Sequence, residues 1–373
     1  MKKIYRFAIL FLSAFVIMAP VSCKKQENRE EQKETTETPA DKPDPDPEEG
    51  PGEEGDLKEP WFITRGLILS WYDVNKSDVI DYVDIAKNYG LNTYSIFNYT
   101  DLSGFKKRCK DAGVDIEYEE HALSRLLPPS LFSTHPEYFH MAKDGKRATG
   151  NGCPSNQEAL ALIRKNVPTA TQNRKPTNHK YYFWLDDGGD ICHCPSCKDM
   201  NAADQALIFE NEIIKELKKI DSEATLAHLA YVGTWAAPVK VKPEEGIFLE
   251  FAPFHRNYVY PLSKANVKGT TGVSHGQYMS YLSDNLRVFP RETAQILEYW
   301  CDESPYCNWS YSNLKKLPWY NDAFIDDLDT YASMGIRHIM CYAAYVGPDY
   351  VNKFGFPQFI VDYATGLRDY VKK

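Results

Sequence analysis

Residues 181–190 read Tyr-Tyr-Phe-Trp-Leu-Asp-Asp-Gly-Gly-Asp, an aromatic run that ends on two adjacent carboxylates and a glycine turn. Burying a charge is costly unless it is paired, and strongly perturbed acids gather at functional sites, so an Asp-Asp pair closing such a run points to chemistry. Neighbouring residues of a strand face opposite sides. One of Asp186 and Asp187 therefore faces the working side while the other braces the turn, and both reach it only where the strand unwinds. Two aspartates capping the next helix are the structural alternative. Glycosidic cleavage needs two carboxyl groups, one to protonate the leaving oxygen and one to act as base or nucleophile. In this reading Asp187 is the acid and Asp186 orients substrate or water. The second carboxylate comes from Glu298 in Gln295-Ile-Leu-Glu-Tyr-Trp or from Glu250 in Ile247-Phe-Leu-Glu-Phe.

Aromatic residues recur beside these acids. Trp71, Trp184, Trp235, Trp300 and Tyr345 each sit at the end of an apolar run. Flat rings match the apolar faces of sugars, so a repeated Trp/Tyr-plus-carboxylate pattern suits a carbohydrate substrate. Any one of these rings is more often core than site. His121 follows two glutamates and could bind a hydroxyl, tune an acid or serve as a hydrogen-bonded structural histidine. Arg256 could pair with a substrate carboxylate or with one of the acids. A metal-dependent hydrolase using Asp186 and His121 as ligands lacks a tight His/Asp ligand motif. No catalytic cofactor is expected.

The cysteines form a second constellation. Cys192-His-Cys194-Pro-Ser-Cys197 packs three thiols into six residues just after the Asp-Asp turn, and Cys153 offers a fourth. Such spacing suits a structural zinc. An oxidising compartment would favour a disulfide between Cys153 and one of the three. Either arrangement would clamp the loop that holds Asp187. Cys301 and Cys307 are close enough in sequence to bridge as well, and Cys109 and Cys341 read as buried thiols.

These residues need a scaffold that brings distant strand ends together. From residue 60 onward, short β-rich runs alternate with amphipathic helical stretches, the pattern of a parallel sheet covered by helices. Eight strands are expected at 66–71, 93–97, 115–118, 181–185, 225–231, 246–251, 295–300 and 338–342. Helices are expected at 77–89, 102–111, 157–173, 203–220, 276–289, 320–334 and 358–371, with none in the fifth unit. Gly90 and Gly335 each stand where a helix must end and a strand begin. Eight units in this length suit a (β/α)8 TIM-like barrel with one long insertion at 122–156. An open doubly wound sheet is the alternative, and no dinucleotide fingerprint follows the first strand to favour it. In a barrel, the candidate residues all fall at the C-terminal strand ends, where active sites lie.

Asp186-Asp187-Gly188, the Cys192-x-Cys194-x-x-Cys197 cluster, His135-Pro-Glu-Tyr-Phe139 and Gly152-Cys-Pro-Ser-Asn156 together resemble the bacterial family known as domain of unknown function 4838. The resemblance implies a glycoside-hydrolase-like barrel of the hexosaminidase and α-glucuronidase type, often carried on lipoproteins of carbohydrate-degrading bacteria. Hexosaminidase-type barrels end strand four on Asp-Glu. Here the pair is Asp186-Asp187, one methylene shorter, so the resemblance implies a class of substrate and not a particular reaction.

The N-terminus sets where this happens. Lys2, Lys3 and Arg6 precede thirteen uncharged residues, Phe7 to Ala19, and then Pro20-Val-Ser-Cys23. That is a signal segment too short to span a bilayer, with Cys23 placed for lipidation. Residues 24–59 hold fourteen acidic and six basic residues and no aromatic, the composition of a disordered tether. The first 23 residues carry +3 and the tether −8 of the chain's −9, which leaves about −4 for the domain at 60–373. Nothing in that charge favours nucleic acid, and nothing past the signal segment suggests membrane contact except through the lipid. The expectation is an exported, lipid-anchored glycoside hydrolase; the alternative is a glycan-binding lipoprotein on the same barrel without catalysis. If Cys23 carries the anchor, Cys23→Ala should leave the membrane fraction or accumulate unprocessed. A mutant that stays in that fraction at the size of the mature wild type refutes the anchor.

Overall fold

The computed structural model describes residues 59–75, 79–97 and 102–373. The signal segment, Cys23 and the acidic stretch as far as residue 58 lie outside the described residues. Among the described residues ten strands occur: β1 (Thr64–Ser70), β2 (Thr93–Phe97), β3 (Asp115–Glu117), β4 (Phe139–Met141), β5 (Arg147–Gly152), β6 (Lys180–Tyr181), β7 (Thr225–Ala230), β8 (Ile247–Phe251), β9 (Gln295–Glu298) and β10 (His338–Tyr342). Eight of them form one parallel sheet in the order β3-β2-β1-β10-β9-β8-β7-β6, and β4 and β5 form a separate antiparallel hairpin. The first and last barrel strands pair in register from Thr64↔His338 to Ile68↔Tyr342.

The eighth joint, between β3 and β6, is held differently. Only one bridge closes it, His121↔Trp184. The Trp184 carbonyl accepts the Ala122 and Leu123 amides at 3.1 and 3.2 Å, and the Trp184 amide donates to the Glu120 carbonyl at 3.3 Å. The result is a nearly closed TIM-like barrel. Strand four is therefore shorter than expected from its apolar run. Beyond Tyr181 it leaves the ladder with β7 and meets the continuation of strand three at that single bridge.

Alternation along the strands sorts side chains into two cores. Ile68, Tyr182, Trp184, Leu229, Phe248, Leu297 and Met340 fill the barrel interior. Outward residues such as Leu67, Ile96, Leu226, Phe251, Ile296 and Ile339 pack with the surrounding helices in the larger core. The main helices are Tyr82–Tyr89, Ser103–Asp111, Gln157–Thr171, Ala202–Ile220, His275–Asn285, Asn321–Ser333 and Gln358–Arg368. Several begin on side-chain caps: Asp81, Asn156 and Ser274 each accept an amide of their own first turn, and Asn201 with Asp204 makes a reciprocal capping box. Gly90 closes its helix in the left-handed region at φ 89°, donating its N–H to the Ala86 carbonyl, as its position between helix and strand requires.

The fifth unit has no helix among the described residues. The chain between β7 and β8 instead hangs on the buried Asp204 carboxylate, which accepts the amides of Val239, Lys240 and Val241 at 2.7–2.9 Å. The insertion after strand three consists of a short helix at Leu123–Leu126, two single 3₁₀ turns and the β4–β5 hairpin. Among the described residues no helix is long and apolar enough to cross a membrane.

Candidate active site at the barrel mouth

Inward-facing aromatics form an almost continuous ring over the C-terminal ends of the strands. Phe97 stacks on Tyr342 at 5.3 Å between centroids, and Tyr342 meets Tyr299 at 5.9 Å. Tyr299 meets Phe254 at 4.7 Å, and Phe254 meets Tyr231 at 5.4 Å. His121 lies 5.8 Å from Tyr231 and 5.2 Å from Trp184. Strands two, eight, seven, six, five, three and four each contribute. Most of these rings are half-buried, with one face against a neighbour and some surface open. Beside them, Tyr345 and Tyr72 flank Tyr311 at 4.5 and 4.4 Å.

The Asp-Asp turn of strand four rises into this ring. The Asp186 Oδ1 accepts the Ser124 amide at 3.0 Å, and the Asp186 amide donates to Asn151 Oδ1 at 2.8 Å. Asn151 comes from the end of the β4–β5 hairpin, so the insertion braces the turn from below. Gly188 adopts φ +66°, and a Cβ at Gly189 would meet Asn151 Nδ2 at 2.6 Å, so the two glycines suit the tight turn and its brace. Burial raises the Asp186 pKa, with the Ser124 amide opposing it. Asp186 is therefore the bracing member of the pair. Asp187 is exposed and acts electrostatically on Tyr231 and His255, which places it at the mouth.

Across the ring stands Asp302, just past strand seven. Its amide donates to the Tyr299 carbonyl at 3.2 Å, a turn that folds it back over the barrel. Its Oδ1 accepts the Ser304 amide at 2.9 Å and the Ser304 hydroxyl at 2.5 Å. Burial lifts its pKa to about 7 despite these bonds. After burial itself, Asp187 and then Asp302 are what push the Tyr231 hydroxyl upward, so the two acids share one tyrosine as neighbour. Asp302 is not among the expected site residues: it lies past the end of the strand, out of phase with Leu297 and Tyr299, and only this turn brings it in. Asp73, at the end of strand one, is also buried and raised to about 7 by burial; it accepts the Tyr311 hydroxyl at 3.1 Å and the Tyr345 amide at 3.0 Å.

The other expected site residues lie elsewhere. Glu298 faces outward into the sheet–helix layer, fully buried, with Arg256 Nε at 3.1 Å and the Tyr331 hydroxyl at 2.5 Å. Arg256 also holds Asp327 at 2.5 Å, and Trp300 donates its indole N–H to the same Asp327 at 3.0 Å. Glu298, Arg256 and Trp300 therefore form one buried structural network, because Glu298 and Trp300 are out of phase with Tyr299. Trp235 is buried too, its indole N–H on the Ala252 carbonyl at 2.9 Å. Trp71 is half-buried against the larger core.

Glu250 points into the barrel but is completely buried, accepting Gln295 Nε2 at 2.9 Å. Gln295 also reaches the Tyr182 hydroxyl, which donates to Glu117 at 2.7 Å. Beside Glu250 stands Glu119, and the two carboxyls share a hydrogen bond that favours the proton on Glu119. Burial, then Glu250, pushes the Glu119 pKa well above the carboxylate range, and burial raises Glu250 to about 7. Of the expected residues, the mouth thus gathers Asp186, Asp187, His121, Trp184 and Tyr345.

Cys153, Cys192, Cys194 and Cys197 converge as expected. All four are buried free thiols whose sulfurs lie within 4.8 Å of one another. Cys153 is 3.5 Å from Cys192 and 3.8 Å from Cys194. Those separations are too long for disulfides, whose sulfurs lie ~2.05 Å apart. They match the ~3.8 Å between vertices of a tetrahedron with ~2.3 Å metal–sulfur bonds. The amides of Cys197 and Lys198 both donate to the Cys194 carbonyl, and Gln205 clamps the Cys192 backbone from both sides. The cluster can hold a metal ion. It ties the hairpin to the strand-four loop. The other expected bridge is absent: Cys301 and Cys307 are free, and the Cys301 amide instead donates to the Cys341 sulfur at 3.4 Å.

Fold and mouth together define a TIM-like barrel with an acid-and-aromatic site at its C-terminal face. Residues 52–290 match the family described as Domain of unknown function (DUF4838), and the chain belongs to it. No curated protein matches it by sequence. Among solved structures it is similar to a β-N-acetylhexosaminidase from Bacteroides fragilis NCTC 9343, at 10% identity and a TM-score of 0.49, over 83% of this chain and 66% of that one. It thus spans just under two thirds of the hexosaminidase. It is also similar to a chitinase from Rhizomucor miehei, at 10% identity and 0.48, over 82% and 100%. A third likeness is a broad-specificity endoglucanase from an uncultured bacterium, at 10% and 0.47, over 77% and 84%.

Two outcomes are expected. Elemental analysis of the purified protein should find about one metal ion per chain, and Cys194→Ala should lose it and cost a few kcal/mol of stability; metal-free wild type with four reactive thiols would contradict this. The second concerns pH. Asp73, Glu250 and Asp302 titrate near 7 in the folded chain but near 4 when unfolded. At these groups, and at Glu298, which burial also raises to about 7, the folded state binds more protons between those values; His338, lowered to about 4 by burial, opposes them only in part, so stability falls as the pH rises from about 4 to about 7 and then levels off. Acids held low, such as Asp221, act only below that window. The thermal midpoint should be higher at pH 5 than at pH 8; the reverse order would overturn the assignment.

Proposed function

We propose that this protein is an exported, lipid-anchored carbohydrate-active protein and that its barrel is a glycoside hydrolase. The observation that carries the reading is the aromatic ring of the mouth, with Asp187 and Asp302 on its two sides and Tyr231 answering to both. Rings of this kind receive the apolar faces of sugars, and two carboxyls supply the chemistry of glycosidic cleavage. Burial leaves Asp302 with a pKa near 7, so it keeps its proton at mildly acidic pH and serves as the general acid toward the leaving oxygen. Asp187 supplies the carboxylate opposite, as nucleophile or as the base that takes a proton from water. This exchanges the role first assigned to Asp187 from sequence, because nothing buries it. Asp186 holds the turn, with His121 beside it. The four cysteines would hold a structural zinc that fixes this turn through the hairpin and Asn151, with no part in the reaction.

Activity should be present below about pH 7 and decline as the pH rises through it, since the acid must be protonated. Asp302→Asn and Asp187→Asn should each slow turnover by about 100-fold or more while glycan affinity survives. Glu298→Gln and Glu250→Gln should act mainly on stability. A wild-type chain that binds glycan without cleaving it, with Asp187→Asn silent and loss confined to ring substitutions such as Tyr299→Ala, would instead make this a glycan-binding lipoprotein.

A further inference from the structure

The loop between β9 and the helix at Asn321–Ser333 carries a feature that the mouth does not use. Trp309 is 53% exposed, and both it and Asn308 hold positive φ, 54° and 53°. An L-residue is strained there, and two in succession persist only where the surroundings enforce them. They are enforced here. The Trp309 amide donates to the Ser304 carbonyl at 2.9 Å, the amides of Tyr306 and Cys307 both donate to the Glu303 carbonyl, and the Glu303 carboxylate receives the Lys315 amide. Ser304 is also the residue that holds Asp302. The tripeptide that sets the mouth acid therefore also presents the indole to solvent.

The loop leads directly from the mouth. Two residues after Trp309, Tyr311 lies against Tyr345 and Tyr72 and donates to Asp73. Exposed large apolar side chains recur in the loops after the C-terminal strand ends: Tyr72, Val232, Val259, Tyr260, Tyr306 and Trp309. Between the rings stand uncharged donors and acceptors, Asn308, Ser310, Ser312 and Asn313. Rings interleaved with amides and hydroxyls fit a neutral polyhydroxylated chain, and the acids Asp73, Asp187 and Asp302 disfavour a polyanion.

We propose that Trp309 is an outer glycan platform, continuous with the mouth through Tyr311 and Tyr345, which takes further units of a neutral polysaccharide. The inference rests on the glycan reading of the mouth and specifies a polymer as its substrate. The test is calorimetric titration of the intact protein with cello-, manno- and chito-oligosaccharides of two to six units. Trp309→Gly removes the ring at a backbone conformation glycine favours, so its thermal midpoint should match or exceed the wild type's. For the series that binds, it should weaken the hexamer about tenfold or more and change the dimer less than about twofold, with Trp309→Phe restoring most of the loss. Equal effects on dimer and hexamer, or none on the hexamer, overturn the platform and leave the mouth reading standing. Wild type that binds none of the three series overturns both.

Discussion

A strand sends successive side chains to opposite faces, and closing strands into a barrel makes those faces into two unlike environments. One is a narrow interior that opens at a mouth. The other is a dry layer beneath helices. This constraint decides what each strand end in the chain can do. Tyr299 and Glu298 are adjacent, yet one forms part of the aromatic ring and the other is locked between Arg256 and Tyr331. The same parity puts Glu119 and Glu250 inside the barrel, side by side. Burial raises both carboxyls, and Glu250 pushes Glu119 further, so the interior holds the pair with the proton on Glu119.

The acids of the molecule consequently fall into two groups. Glu298 and Asp327 are buried around Arg256, where removal of one partner would strand the others. Asp302 is buried too, but among the described residues its hydrogen-bond donors come only from Ser304, and it stands beside the tyrosines of the mouth. Burial raises Glu298 and Asp302 alike, each to about 7; what separates them is the partner, since Glu298 is held by Arg256 and Tyr331 while Asp302 has no cation beside it among the described residues. Distance along the chain does not separate these cases, since Glu298 and Asp302 are four residues apart.

Much of the scaffold was legible in the amino-acid order. The bounds of the second and eighth barrel strands, the glycine stops after two helices, the missing helix of the fifth unit and the convergence of four cysteines follow from local pattern, which is where propensity and capping act. The site was only partly legible. Asp186, Asp187, His121, Trp184 and Tyr345 were readable as strand-end residues. Glu298, Trp235, Trp300 and Arg256 were not, because a shift of one position along a strand end exchanges mouth for helix layer. Asp302 depended on a turn back onto the Tyr299 carbonyl, and Asn151 on a contact made 35 residues away in the chain. Neither leaves a periodic trace.

The joint between β1 and β10 has a further bearing, on the order in which the molecule can come into being. Thr64 pairs with His338, so nearly the whole described chain must exist before the first and last barrel strands can meet. Contacts of that sequence separation are slow to form, since loop closure precedes any reward. The same joint sets Phe97 beside Tyr342 and Asp73 beneath Tyr345. The cysteine cluster and the strand-four turn draw on residues 124–197 alone, so they need far less of the chain than the mouth does. The ring of the mouth is completed only when the final strand arrives.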